Sequence, residues 1–140
     1  MDFHILTSSG VAERLHYACR LTEKAWRQGC RVYLRAESGE QAAELDTLLW
    51  TFRDRSFVPH RLDAAGGDPE PVLVGTGDRP EAADPDVLVN LAPEPAPEPA
   101  LFNRVVEITD SDPAVRDAAR QRFRWYREQG YQPEHLQVRS

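Results

Sequence analysis

Short apolar runs alternate with longer segments of helical periodicity in the first part of the chain. Residues 3–6 form an apolar run that ends in a Thr-Ser-Ser-Gly turn, and residues 31–34 have the composition of a second strand. Between these runs, apolar residues recur at helical spacing up to Gly29. After the second run, Ser38 with Gln41 three positions on is typical of a capping box. The pattern predicts two consecutive strand-helix units.

Three further apolar runs follow, at residues 72–74, 87–89 and 105–108. Strand-helix units joined this closely imply parallel strands with right-handed crossovers. We therefore predict an α/β fold with a mostly parallel sheet of about five strands, flanked by three main helices. A length of 140 residues suits one domain with a proper core, so we expect residues 1–140 to form a single domain.

Glycine and proline dominate the connections in the middle of the chain. The segment 62–86 contains Gly75, Gly77 and several Gly-Gly or Asp-Pro pairs, which are typical of turns and exposed loops. Residues 93–99, with the sequence PEPAPEP, should form an extended, solvated, polyproline-like surface loop between the last two strands.

A last periodic segment has the start and stop signals of one helix over residues 113–130. Asp112 suits the N-cap, Pro113 the first helical position and Gly130 a left-handed C-cap. At about 100° per residue, one apolar arc forms the core face of this helix. The arc contains Val115, Ala118, Ala119, Trp125 and Tyr126. Arg122 falls on the same arc, so its side chain needs a buried partner or a path to water.

Positive charge is concentrated in this helix although the protein as a whole is acidic. The formal net charge is −6, whereas residues 113–131 hold five arginines against two acids. Four of those arginines share one side of the helical wheel, and Phe123 lies at its border with the apolar arc. They are Arg116, Arg120, Arg124 and Arg127. Such a row suits a ligand with an apolar group and negative charge; the alternative is a surface helix whose arginines are only solvated.

Motifs for nucleotides, metals and nucleophilic catalysis are missing. Gly75-Thr76-Gly77 follows an apolar run, but the sequence has no GxxxxGK[ST] or GxGxxG pattern, and its only lysine is Lys24. The histidines are scattered, the two cysteines fit no metal-ligand spacing, and there is no GxSxG elbow. We therefore expect no metal, no cofactor and no catalytic residues.

Charge and hydropathy limit the possible partners and location. An acidic chain argues against a general nucleic-acid binder, because phosphate contacts need a broad positive field. Apolar runs are much shorter than a membrane span and no secretory h-region is present, so we expect a soluble intracellular protein with reduced cysteines.

Bulky apolar residues cluster where the second helix gives way to irregular chain, in residues 50–62. They are Trp50, Phe52, Phe57, Val58 and Pro59. Two interpretations remain open. The residues either pack under the sheet, or form an exposed aromatic patch for a protein partner.

Four blocks of the sequence together carry a family resemblance. The blocks are Ala25-Trp26-Arg27-x-Gly29-x-Arg31-Val32, Leu45-Asp46-x-x-Leu49-Trp50, Ser56-Phe57-Val58-Pro59-His60-x-Leu62 and Arg120-x-x-Phe123-Arg124-x-Tyr126-Arg127-x-x-Gly130-Tyr131. In order and spacing they resemble the chi subunit of the bacterial DNA polymerase III holoenzyme, part of the clamp-loader assembly. The resemblance covers nearly the whole chain, although residues 63–100 have no clear match.

This resemblance implies a Rossmann-like α/β outline without a working nucleotide site. Family members are not enzymes. They act as adaptors in the cytoplasmic replisome, binding the psi subunit and the C-terminal tail of the single-stranded DNA-binding protein. That tail is acidic and ends in Pro-Phe with a free carboxylate. The resemblance implies no membrane association and no specific DNA binding by the subunit itself.

By the same resemblance, two sets of residues would contact these partners. The tail site would be lined by Arg120, Phe123 and Arg124, with Arg116, Thr109 and Arg127 nearby. The psi surface, which some members also use for an accessory repair helicase, would contain Trp50, Phe57, Pro59 and His60. Phe123 and Arg124 stand where the family is expected to have Tyr and Lys, so the ring and the charge are kept and a hydroxyl is lost.

Two other functions remain open. The basic helix could bind single-stranded DNA directly, with Phe123 and Trp125 as stacking groups. Less consistent with the missing phosphate loop is a nucleotide-dependent enzyme on the same scaffold.

Overall fold

A computed structural model of the protein describes residues 1–52, 58–63, 70–80 and 85–138. The elements in chain order are β1 (Asp2–Leu6), α1 (Val11–Arg27), β2 (Val32–Arg35), α2 (Gly39–Thr51), β3 (His60–Leu62), β4 (Val72–Gly75), β5 (Val87–Asn90), a short 3-10 helix (Pro99–Leu101), β6 (Arg104–Thr109), α3 (Pro113–Glu128) and β7 (Glu134–Val138). Every helix in these ranges is too short or too polar to cross a lipid bilayer.

All the strands in the described ranges join one sheet, in the order β3-β4-β2-β5-β6-β1-β7. Each neighbouring pair is parallel, which confirms the predicted α/β class. The sheet has seven strands rather than about five, because β3 and β7 were not predicted. Both lie at the edges of the sheet, and neither contains an apolar run that would identify it as a strand.

Helices cover the two faces of the sheet unequally. The first face carries α1 and α2, whose Leu15, Leu45 and Leu49 are buried in one core layer with β-strand valines. On the second face, Tyr126 and Ala119 of α3 are buried with Phe3, and Trp125 is partly buried beside them. The apolar arc predicted for the C-terminal helix is therefore its core-facing side.

The proline-rich segment packs into the second core layer. Ala96 is only 1% exposed and Pro99 is also buried. The amide N–H of Ala96 donates to the Tyr126 hydroxyl at 2.8 Å, and Arg35 Nη1 donates to the carbonyl of Pro95 at 3.0 Å. Pro93, Glu94, Pro97 and Glu98 are exposed, in agreement with the predicted surface loop, but the segment is not solvated throughout. Tertiary contacts supply hydrogen bonds that the proline backbone cannot make within itself.

The local signals for α2 and α3 are confirmed. The Ser38 side chain accepts from the Gln41 amide at 3.1 Å, and the Asp112 carboxylate accepts from the amides of Ala114 and Val115 at 2.9 and 3.2 Å. After α3, Gly130 has a φ of 93°, the left-handed conformation that favours glycine.

Candidate functional site

A cavity of about 750 Å³ lies between α3 and the β1-β7 edge of the sheet. We call it the α3-face cavity. It is lined by Phe3, Ile5, Thr109, Arg116, Ala119, Arg120, Phe123, Arg124, Arg127, Glu128, His135 and Gln137. All six residues that the resemblance assigned to the tail site are among them, so the structure places these six around one cavity.

Four arginines form the α3 side of the cavity. Arg116, Arg120 and Arg124 follow one another at four-residue spacing and share one side of the helix with Arg127. All four are exposed, and none forms an ion pair with a described residue. Glu128 is the single acid in the lining. The cavity wall therefore carries uncompensated positive charge.

Aromatic rings from α3, β1 and β7 form another part of the lining. The Phe123 ring stacks on His135, with 4.5 Å between ring centroids and 11° between the planes. Phe3 meets Phe123 edge-on, at 5.3 Å between centroids. The sequence identified Phe123 but not His135 or Phe3, since β7 was not predicted and Phe3 was treated only as a strand residue. A planar apolar surface thus lies beside the arginines.

Thr109 contributes a buried hydroxyl to the same cavity. Its residue is 3% exposed, and Oγ1 has no hydrogen-bond partner among the described residues. An unpaired buried hydroxyl is unfavourable. The wall of the cavity therefore includes a neutral polar group that lacks a described partner.

A buried polar network holds α3 against the sheet beneath the cavity. The carboxylate of Glu107 accepts from Arg122 Nε at 2.9 Å, the Tyr126 hydroxyl at 2.6 Å and Asn90 Nδ2 at 2.8 Å. Burial raises the pKa of Glu107, and the charge of Arg122 opposes that rise. Arg122 thus has the buried partner that its place on the apolar arc required.

An internal carboxylate closes the crevice where open α/β sheets bind their ligands. The strands β1 and β6 are neighbours, and their following helices pack on opposite faces of the sheet. Asp110 Oδ2 accepts from the Gly10 amide, at 3.1 Å, and from Arg14, while Oδ1 accepts from the Asp112 amide at 2.8 Å. The anion position at the N-terminus of α1 is therefore occupied by the protein itself.

The glycine turn after β4 serves packing. The Tyr33 hydroxyl donates to the Gly77 carbonyl at 2.8 Å. A Cβ at Gly75 would lie 2.8 Å from the same hydroxyl oxygen, so only glycine fits without a shift. This turn sits tightly on a buried tyrosine.

The residues around Trp50 divide between core and surface. Val58 is fully buried and Phe52 packs against the first core layer, whereas Trp50 is 56% exposed. The Trp50 ring lies over His60, with 4.4 Å between centroids. Pro59 is half-buried, and Phe57 lies outside the described residues.

His60 lies beneath this surface. Its side chain is buried, with Nδ1 at 2.7 Å from the Val58 carbonyl and Nε2 at 2.9 Å from the Asp46 carbonyl. His60 can therefore support the Trp50 ring, but almost none of its side chain is accessible to a protein partner.

Other chemically reactive groups are few in the described part of the chain. No group of three or more His, Cys, Asp or Glu residues there could hold a metal ion. Cys19 and Cys30 are free thiols, and burial raises the pKa of Cys19 to about 12. Trp125 packs against Tyr126, with centroids 5.5 Å apart, and does not line the α3-face cavity.

Known proteins resemble the chain over almost its full length. Residues 1–134 match the family described as DNA polymerase III chi subunit, HolC. A Pseudomonas aeruginosa protein named DNA polymerase III subunit chi is 47% identical over 132 residues, covering 94% of this chain and 91% of that protein. Proteins of the same name from Haemophilus influenzae and Escherichia coli are 31% and 30% identical, covering 93% and 89% of this chain and 91% and 86% of their own.

Proposed function

The chain belongs to the DNA polymerase III chi-subunit family and is a DNA replication subunit, and from this premise we propose that it is a non-catalytic adaptor. In this proposal the α3-face cavity binds the C-terminal tail of the single-stranded DNA-binding protein. A second surface, around Trp50, binds the psi subunit. The protein would thereby tether the clamp loader to coated single-stranded DNA.

One observation carries the tail-binding part: unpaired arginines and a flat aromatic surface border a single cavity. An acidic peptide that ends in phenylalanine needs both features. Each charge-assisted hydrogen bond contributes about 1.5 to 3 kcal/mol, and burial of the phenylalanine adds a similar amount. Ordering the peptide subtracts several kcal/mol, so we expect a modest, salt-sensitive affinity.

Within the cavity we assign the terminal carboxylate to Arg120. It stands between Arg116 and Arg124 in the arginine row, so a bound anion there interacts with three cations. Phe123, stacked on His135, would contact the phenylalanine ring. The Thr109 hydroxyl would satisfy its missing hydrogen bond on the peptide main chain or carboxylate.

The experiment is a titration of a fluorescent peptide that copies the end of the tail, at low and moderate salt. We expect saturable binding to the wild type and a loss of about tenfold or more in affinity for Arg120→Ala. Arg27→Ala is the matched control, because Arg27 is an exposed arginine at the end of α1, outside the cavity. Removal of the final phenylalanine from the peptide should also abolish saturable binding.

Two results would contradict the tail-binding proposal. One is the absence of binding by well-folded wild type. The other is an equal loss for Arg27→Ala and Arg120→Ala, which would indicate attraction by net charge alone.

The Trp50 surface is proposed as the psi site because it presents a large aromatic ring. Trp50 is exposed, and its ring is positioned by His60 below it. Tryptophan is among the residues that contribute most to protein interfaces. The same surface is available to an accessory repair helicase. Two partner sites on one small domain would raise the local concentration of one partner near the other.

A further inference from the structure

The last strand, β7, has an open edge. Within the described ranges it pairs only with β1. The Glu134 amide donates to the Met1 carbonyl at 3.0 Å, and the Val138 carbonyl accepts from the Thr7 amide at 3.2 Å. Main-chain groups alternate along a strand, so the N–H and C=O groups of His135 and Gln137 point away from β1. The edge therefore offers four hydrogen-bonding groups to an added strand.

The side chains of β7 border a cavity on each face of the sheet. His135 and Gln137 line the α3-face cavity. Leu136 and Val138 line a second cavity of about 360 Å³, which we call the α1-face cavity. Both cavities are thus adjacent to the same open strand.

The α1-face cavity is positively charged. Arg20, Lys24 and Arg104 line it, and no acidic side chain of a described residue does. Arg104 is paired with Asp2 at 3.3 Å, whereas Arg20 and Lys24 are exposed and form no ion pair with a described residue. They are therefore available to an anionic ligand.

The inner part of this cavity adds a hydrogen-bonding atom and apolar surface. His4 lines the cavity and is 3% exposed, and its Nε2 has no hydrogen-bond partner among the described residues. Leu136, on the strand itself, is 51% exposed and would be covered by a ligand at the edge.

We propose that the acidic peptide bound in the α3-face cavity continues along β7 as an eighth strand of the sheet, with alternate side chains directed to Arg20 and Lys24. This inference rests on the proposed function. In strand addition the main chain supplies the hydrogen bonds, and alternate side chains fall on opposite faces. An acidic peptide in this position meets unpaired cations on both faces.

A peptide fits this edge better than single-stranded nucleic acid does. The outward N–H and C=O groups of His135 and Gln137 match a peptide main chain. Nucleic-acid sites of this kind depend on stacked aromatic platforms, and Tyr17 is the only Phe, Trp or Tyr in the described lining of the α1-face cavity.

The test compares a short peptide, limited to the terminal Pro-Phe and its nearest neighbours, with a longer one that includes the acidic residues before them. In the longer peptide, N-methylation of single upstream amides should weaken binding about three- to tenfold at every second position. Methylation at the intervening positions should have little effect, because those amides point away from β7. The amide protons of His135 and Gln137 should exchange more slowly with the long peptide only.

A matched pair of variants tests the charges of the α1-face cavity. The double variant Arg20→Gln, Lys24→Gln should bind the long peptide about three- to tenfold more weakly and bind the short peptide with unchanged affinity. Arg27→Gln, on the same helix but outside the cavity, is the control and should affect neither peptide.

The outcomes separate this inference from the proposed function. Binding of the short peptide with no gain for the long one overturns strand addition and leaves tail binding intact. Strand addition is also overturned if N-methylation weakens binding without alternating between successive positions of the peptide. An oligothymidylate could instead displace the long peptide, and lose this ability when Arg20 and Lys24 are replaced. That result would overturn the assignment of the edge to a peptide. Failure of the short peptide to bind overturns the tail-binding proposal itself.

Discussion

The Tyr126 hydroxyl joins three parts of the molecule. It donates to Glu107 on β6 at 2.6 Å and accepts from the Ala96 amide of the proline-rich segment at 2.8 Å. All three residues are buried. Loss of this one oxygen would leave the buried Ala96 amide without an acceptor and would remove one of the three donors to Glu107.

We predict that Tyr126→Phe lowers the free energy of unfolding by about 2 to 4 kcal/mol at neutral pH, because the buried Ala96 amide loses its acceptor and the Glu107 carboxylate loses one of its three donors. Urea denaturation measures the change. Tyr131→Phe is the control, because Tyr131 is partly exposed and its hydroxyl has no hydrogen bond to a described residue. A loss below about 0.5 kcal/mol for Tyr126→Phe would show that the network is not structural.

The same variant should change how stability depends on pH. Burial holds the folded-state pKa of Glu107 above its ordinary value of 4.5, while the Tyr126 hydrogen bond lowers that pKa. A raised carboxyl pKa means that stability from this group declines as pH rises from 4.5 through the folded-state value. Tyr126→Phe removes this hydrogen bond and raises the folded-state pKa further, so its destabilisation should grow as pH rises from the folded-state pKa of the wild type to that of the variant. Denaturation at a series of pH values checks the sign.

For Arg122, the sequence predicted what the side chain needs but not which residue supplies it. The helical wheel showed that Arg122 needed either a buried partner or a path to water, and only the structure identified the partner as Glu107. The two residues are 15 positions apart and meet because α3 packs on β6. Which carboxylate faces which helix depends on the order of the strands, which no local pattern contains.

Among the elements, α3 was predicted most completely. Its cap, its first proline, its terminal glycine and its apolar arc all follow from interactions within one or two helical turns. The row of exposed arginines follows from the same geometry. The aromatic surface beside the row was only half predicted, since Phe123 belongs to α3 but His135 belongs to β7.

We predict that Asp112→Ala lowers the free energy of unfolding by about 1 kcal/mol, because two amides at the start of α3 lose their acceptor. Asp112→Ser should retain most of the stability, since serine is also a good N-cap. Asp117→Ala, an exposed acid in the next turn, should change stability by less than about 0.5 kcal/mol. Thermal denaturation of the four proteins would contradict this if Asp112→Ala and Asp117→Ala were alike.

The elements that the sequence missed share one physical property. The strands β3 and β7 lie at sheet edges and contain polar residues, so they lack the apolar run or clear alternation that marks a strand. The proline-rich segment was misjudged for a related reason. Its composition is typical of solvated chain, and its burial depends on Tyr126 and Arg35, which are remote in sequence.

On the scale of the whole molecule, the two proposed partner surfaces are far apart. Trp50 lies beside β3 at one edge of the seven-stranded sheet, and the α3-face cavity lies beside β7 at the other. At about 4.8 Å per strand the edges are roughly 30 Å apart. The helices that carry them, α2 and α3, also pack on opposite faces. The two proposed partner surfaces therefore do not overlap.

We predict that the two surfaces act independently. Trp50→Ala should weaken the binding of psi by about 2 kcal/mol or more and change the affinity for the tail peptide by less than about twofold. Arg120→Ala should weaken binding of the tail peptide and leave the affinity for psi nearly unchanged. Thr47→Ala, an exposed substitution on the same helix as Trp50, is the control. Calorimetry with each partner alone and in the presence of the other measures the coupling. A change of more than about fivefold across the molecule would mean that the sites are linked.

The sequence by itself determined the α/β class, the parallel strands, the boundaries of α3 and the row of arginines on its surface. These features depend on hydrophobic periodicity and on capping between residues close in the chain, so they are encoded locally. The resemblance to the chi subunit, which the family comparison confirms, also follows from local blocks of sequence.

Only the tertiary structure decided which distant residues meet. It places Asp110 against the amide of Gly10, 100 positions away, and so closes the crevice where a nucleotide would bind. It also joins β7 to β1, which brings His135 to Phe123 and leaves one strand edge open between two basic cavities. Such contacts arise from the packing of whole elements, and a pattern along the chain limits but does not decide which elements will be neighbours.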